Sequence, residues 1–158
     1  ETSSTSSPPL LTSGSELASK LDPNNILYTQ ELGYMYYNQG KFTEAEKCFA
    51  KMVKAQPNNV DWLFAHSEIL KRLGRQDDAI NSLNKMEDQL GVLPDLSIQK
   101  FELYVSLKQD EKGIAELQKA REVYPDDLGL IGTLVDYYFS KREITKAQNM
   151  LVELVKNA

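Results

Sequence analysis

The chain has 158 residues, 41% of them apolar, and carries 23 Asp and Glu against 18 Lys and Arg. A fold of this length removes roughly 70% of its unfolded surface from water, so it needs no metal or disulfide to complete a core. A net charge of −5 offers nucleic acid or an anionic membrane nothing to neutralise, and no apolar run is long enough to span a bilayer.

Residues 1–14 are rich in Ser, Thr and Pro and almost uncharged. They carry too little apolar surface to offset the entropy of ordering and are expected to form a disordered leader or linker, with a docking segment built on Leu10 and Leu11 as the alternative. A Ser/Thr/Pro leader without an initial Met resembles a mature exported bacterial (periplasmic) protein joined to its exit signal by a spacer. An internal domain cut from a cytoplasmic protein would look similar. Cys48 is the only cysteine, which excludes an internal disulfide framework and leaves the compartment open.

Residues 15–158 read as helical, and the pattern repeats. Ala45, Ala79, Gly113 and Ala147 stand 34 residues apart. The same interval relates Phe49, Leu83, Leu117 and Leu151; Met52, Met86, Ala120 and Leu154; and Tyr36, Leu70, Tyr104 and Tyr138. Columns recurring in one register without insertion are the mark of a stacked array. Within the first period, Leu32 and Tyr36, then Ala45, Phe49 and Met52, draw apolar stripes on two successive helices. Gly40 and Gly74 are placed to end the first helix of a pair in the left-handed conformation. The small residue at 45, 79, 113 and 147 lets the two helices approach closely. Pro57 and Pro125 stop the second helix, and Asn59 or Asp127 then caps the next. Leu21-Asp22-Pro23-Asn24-Asn25 has the same form, so residues 15–22 fit the stub of an earlier second helix. The periods fall at about 24–59, 60–93, 94–127 and 128–158.

Leu32-Gly33, Tyr36, Gly40, Phe42, Ala45, Phe49 and Pro57 together resemble the signature of the tetratricopeptide repeat family, and the likeness extends over residues 24–158. It implies an all-α fold: a right-handed superhelical array of antiparallel helix pairs, with eight main helices plus a short N-terminal one, whose first helices line a concave groove that binds partners. The second repeat departs at His66 and Gly91, with Pro94 three residues late. In the third, Lys100 and Phe101 replace the Leu32-Gly33 pair, so a rotated or displaced first helix is expected there. The fourth has Val135 where a small residue is usual.

No converging set of catalytic groups, phosphate-binding loop or metal-ligand spacing is present, so neither enzyme nor cofactor is expected. His66, the sole histidine, falls on the buried stripe as a core or interface imidazole. Asp77-Asp78 and Asp126-Asp127 sit at helix starts, where carboxylates cap N–H groups and complement the dipole. In the family register the inward face of the first helices carries Gln30, Tyr34, Tyr37 and Asn38, then Phe64, Glu68, Lys71 and Arg72. Ile98, Glu102 and Val105 follow, and then Gly132, Asp136 and Phe139. This aromatic, mixed-charge strip suits a protein or peptide supplying apolar and basic side chains, although the same rings could instead pack on neighbouring helices. Some family members grip a C-terminal carboxylate through cationic side chains. The corresponding positions here, Gln30, Tyr34, Ala65, Asp95 and Gln99, hold no cation, so binding of that kind is not expected.

The last helix has more apolar positions than one packed face needs, suggesting either a longer array or homo-association through this end. Three functions remain open on this reading: a non-catalytic interaction scaffold, a self-association module, and the regulatory repeat region of a larger protein.

Overall fold

The structure is a computed structural model that describes residues 14–156. The proposed leader lies outside the described residues, except for Gly14, which opens the first helix. Nine helices run through the described residues: α1 Gly14–Leu21, α2 Ile26–Asn38, α3 Phe42–Ala55, α4 Val60–Arg72, α5 Gln76–Leu90, α6 Pro94–Ser106, α7 Asp110–Val123, α8 Leu128–Ser140 and α9 Ile144–Lys156. First helices begin at Ile26, Val60, Pro94 and Leu128, and second helices at Phe42, Gln76, Asp110 and Ile144, all at the 34-residue spacing of the sequence columns. Pairs of successive helices joined by short turns thus make up the fold, and α1 supplies the expected stub.

The turns explain this regularity. In the first repeat Gly40 has φ +72°, its N–H donates to the Tyr37 carbonyl, and the Lys41 N–H reaches back to the Tyr36 carbonyl at 2.9 Å. That pair of bonds satisfies the orphan carbonyls of a helix end. Gly74 repeats the conformation with φ +71°. In the third and fourth repeats Lys108 (φ +60°) and Arg142 (φ +61°) adopt it without glycine, and Gln109 and Glu143 donate to the Tyr104 and Tyr138 carbonyls at 2.8 Å. The opposite turns are capped by side chains. Asn25 Oδ1 accepts from Leu27 N–H, Asn59 Oδ1 from Trp62 N–H, and Asp127 Oδ1 from Leu130 N–H. The second repeat has no such cap. There α5 runs on to Leu90, Gly91 takes φ +80°, and Pro94 opens α6 with its ring-fixed φ.

The chain divides into two compact units, the first ending at Gly74 and the second beginning at Arg75, so the division falls inside the second period. In the first unit α1 packs on α2, α2 on α3 and α3 on α4. Its core holds Ala45, Phe49, Met52, Leu63, Ile69 and Leu70, each 1% exposed or less. A Cβ added to Gly33 would lie 3.0 Å from both Cys48 Cβ and the Phe49 ring, so the missing side chain sets the α2–α3 approach. Cys48 itself is buried, and burial raises its thiol pKa against the opposing pull of Lys51.

In the second unit Phe101, Leu117, Ala120, Leu130 and Leu134 form one cluster, and Ile131, Val135 and Ala147 a second. The Lys100-Phe101 departure does not shift α6, whose ends keep the common register. The accommodation is made by partners instead. Gly113 stands opposite Phe101, and a Cβ there would meet the ring at 3.0 Å and the Phe101 carbonyl at 3.2 Å. The large and small residues of the first repeat have exchanged helices. Lys100 is fully buried, its ammonium 2.7 Å from both Glu87 Oε2 on α5 and Glu116 Oε2 on α7 and 3.2 Å from Asn84 Oδ1. Lys119 bridges the same two carboxylates from the solvent side at 2.6 and 2.9 Å. Burial alone would raise the Glu87 pKa, but hydrogen bonds from the two lysines outweigh it and lower the pKa.

Candidate functional site

The residues expected to contact a partner divide between the units, and those of the first unit come together. Positions 30, 34, 37 and 38 share one face of α2, while 61, 64, 65 and 68 share one face of α4 at i, i+3, i+4, i+7 spacing. The two helices are linked through Trp62, whose indole N–H donates to Gln30 Oε1 at 3.2 Å. A cavity of about 450 Å³ is lined by Tyr34, Tyr37, Phe49, Asp61, Phe64, Ala65, Glu68 and Ile69. Phe49 and Ile69, both inaccessible, are its fixed apolar base. Tyr34 stands edge-on against Phe49 with ring centroids 5.0 Å apart, and Tyr37 against Phe42 at 5.6 Å. Their orientations are therefore held by the core, yet Tyr34 is still 40% and Phe64 44% exposed. Tyr34 and Tyr37 thus pack against neighbouring rings, while Tyr34 and Phe64 keep accessible surface.

The remaining predicted residues of this unit, Gln30, Asn38, Lys71 and Arg72, lie outside the cavity lining. Gln30, Tyr34 and Asn38 line a shallower depression of about 570 Å³ along α2. Lys71 pairs with Glu68, and the Arg72 guanidinium lies 6.0 Å from the Phe42 ring centre. Asp61 was absent from the sequence-based set, although its position three residues before Phe64 puts it on the same face. His66 points elsewhere: its Nε2 is 3.2 Å from Glu46 Oε1, half-buried between α4 and α3.

In the second unit the corresponding residues are less gathered. Ile98 and Val105 are half-buried against the Phe101–Leu134 cluster. Glu102, Asp136 and Phe139 are exposed, Phe139 by 43%, and Gly132 has open space where a Cβ would stand. A polar cluster that the sequence did not reveal lies nearby. The Tyr137 hydroxyl donates to Asp110 Oδ2 at 2.7 Å, and Lys141 Nζ lies 2.9 Å from the same oxygen. Those hydrogen bonds from Lys141 and Tyr137 lower the Asp110 pKa. Burial and the bond to Asp110 push the Tyr137 phenol up to about 12.

Among the described residues no three His, Cys, Asp or Glu side chains gather as a metal site, and no helix is long and apolar enough to cross a membrane. The geometry presents a shaped, partly apolar surface, which is a means of binding.

A family model described as Tetratricopeptide repeat matches residues 28–59, which include the Gly33, Gly40, Ala45, Phe49 and Pro57 positions. Residues 28–59 thus carry a tetratricopeptide repeat. The crystal structure of MamA superposes with a TM-score of 0.70 at 18% identity, covering 90% of this chain and 83% of that one. The MamA RS-1 ArsTM double mutant gives 0.68 at 19% identity, covering 90% and 80%. At these identities the likeness establishes the fold alone. The human Protein O-mannosyl-transferase TMTC1 is 25% identical over 121 residues, which are 76% of this chain and 13% of that protein. The repeat protein thus spans a small part of that relative's length. Its fold is that of a protein-interaction scaffold.

Proposed function

We propose that this repeat protein is a non-catalytic scaffold whose first unit receives a segment of a partner protein in the cavity between the exposed faces of α2 and α4. The observation that carries the reading is the pair of half-exposed rings, Tyr34 and Phe64, above an inaccessible base of Phe49 and Ile69. Tyr34, already positioned by its packing on Phe49, loses little freedom when covered, and aromatic anchors in desolvated pockets supply a large share of binding energy. Gln30 and Asn38 line the adjoining depression on α2, and Lys71 and Arg72 lie beyond the cavity. The exposed Glu102, Asp136 and Phe139 offer the second unit a contact face of its own.

Selection from a displayed random-peptide library tests this. Peptides enriched on the native chain should bind the Tyr34→Ala/Phe64→Ala variant at least about tenfold more weakly, because loss of an anchor typically costs about 2 kcal/mol or more. The variant should keep its helical circular dichroism. Selected peptides with equal affinity for both proteins would sink the proposal.

Self-association is the second reading, favoured by one observation. On α9, Leu151, Val152 and Val155 are 41%, 50% and 75% exposed, leaving an apolar strip along the helix. Light scattering over a range of concentrations decides it: a monomer throughout eliminates the reading, and a dimer lost in Val152→Asp/Val155→Asp supports it.

A further inference from the structure

The chemistry of the cavity narrows the occupant, provided the scaffold reading above holds. We infer that the first-unit cavity selects a peptide segment carrying a large apolar side chain flanked by basic residues. On α4, Asp61 and Glu68 are seven residues apart on one face, a rise of about 10 Å, and Phe64 and Ala65 lie between them. A carboxylate therefore stands at each end of an apolar stretch floored by Phe49 and Ile69. No basic side chain is among the lining residues. Lys71 sits beyond the cavity and pairs with Glu68 through Oε1. Asp61 has no cationic partner among the described residues and is exposed.

These charges decide between guests. An acidic segment would bring carboxylates toward two carboxylates on a chain that already carries a net charge of −5. A basic segment gains most at Asp61 and meets Glu68 alongside Lys71, and its cations are attracted again by the exposed rings of Tyr34 and Phe64. Extended backbone advances about 3.3 Å per residue with alternate side chains on one face. An apolar residue with Lys or Arg two positions to either side would therefore span the distance, the flexible stems taking up the mismatch. Partners of other chemistry, including acidic segments and purely apolar helices, become outcomes of the test.

The experiment selects a random-peptide library in parallel on the native chain, on Asp61→Lys/Glu68→Lys, and on the milder Asp61→Asn/Glu68→Gln in case charge reversal disturbs folding. Circular dichroism checks all three. Peptides enriched on the native chain should place basic residues around an apolar one. Synthetic versions with those bases changed to Glu should bind at least about tenfold more weakly. Raising salt from about 50 to about 300 mM should weaken the basic peptides several-fold. The reversed variant should prefer acidic peptides, and the neutralised one should lose the charge preference. If native-selected peptides are neutral or acidic yet still depend on Phe64, the basic preference is overturned and the cavity reading stands. If nothing is enriched, or enriched peptides ignore Phe64→Ala, both readings fall.

Discussion

Replacing Gly113 by Ala sets two known effects against each other. Ala occupies this column in the other three repeats, and in a helix interior it is favoured over Gly by about 0.8–1 kcal/mol. Here, however, the new Cβ would stand 3.0 Å from the Phe101 ring, 3.2 Å from the Phe101 carbonyl and 3.3 Å from Tyr104 Cβ. The carbonyl belongs to a helix and cannot turn away. The ring is 6% exposed and edge-on to Tyr137 at a centroid distance of 5.5 Å, so it has no vacant space to enter. Overpacking of this sort costs about 1–3 kcal/mol. After subtracting the propensity gain, Gly113→Ala should destabilise the protein by about 1 kcal/mol. Urea unfolding followed by circular dichroism would register this as a midpoint lowered by about 0.5 M, taking a slope of about 2 kcal/mol per molar. Phe101→Ala alone should cost about 3–5 kcal/mol, but adding Gly113→Ala to it should then be neutral or favourable. A single Gly113→Ala variant more stable than the parent would refute the account of exchanged large and small residues.

Three further predictions rest on features of the two units. Lys100→Met keeps the stem and removes the charge, leaving Glu87 and Glu116 to share Lys119; a loss of about 3 kcal/mol is expected at neutral pH in urea unfolding. Because the Glu87 pKa is lowered by folding, its contribution is present above the unfolded carboxylate range, about pH 4.3, and disappears as pH falls through the folded value, so the variant and parent should converge in acid. Gly74→Ala should cost about 1 kcal/mol, because its backbone is left-handed, whereas Lys108→Gly at the matching turn should stabilise by up to about 1 kcal/mol; thermal melts of both would be expected to shift in opposite directions. Tyr137→Phe removes one of the hydrogen bonds that lower the Asp110 pKa, so a carboxyl titration by NMR should show it rising toward the ordinary value near 3.9.

The repeat spacing made the helix pairs legible because each column reports one environment several times over. Gly40, Ala45, Phe49 and Pro57 each combine a distinctive residue type with a fixed position, and all four kept their expected places. The departures at Lys100 and Phe101 were visible, but their resolution was not. Glu87 and Glu116 lie 13 and 16 residues away on different helices, and nothing in a helical period links a lysine to carboxylates at those distances. Lys108 and Arg142 hide their turn geometry, since a left-handed residue other than glycine leaves no trace in composition. At the candidate site the register located Tyr34, Phe64 and Glu68 and passed over Asp61, although the same i, i+3 rule reaches it. Ile98 and Val105 share that register yet are drawn inward, because the bulk of Phe101 beside them builds a wider apolar cluster in the second unit.

Modules of equal length carry a hazard of misassembly, since a helix could dock where its counterpart from another repeat belongs. The ammonium of Lys100 guards against this. The positions one period from Glu87 and Glu116 hold Val53, Arg121, Ser82 and Met150, so α6 paired with the wrong neighbours would strand a charge with no carboxylate at either position. One lysine and its two acids thereby give the third repeat an address of its own, a safeguard of order along the chain that uniformly apolar columns could not provide.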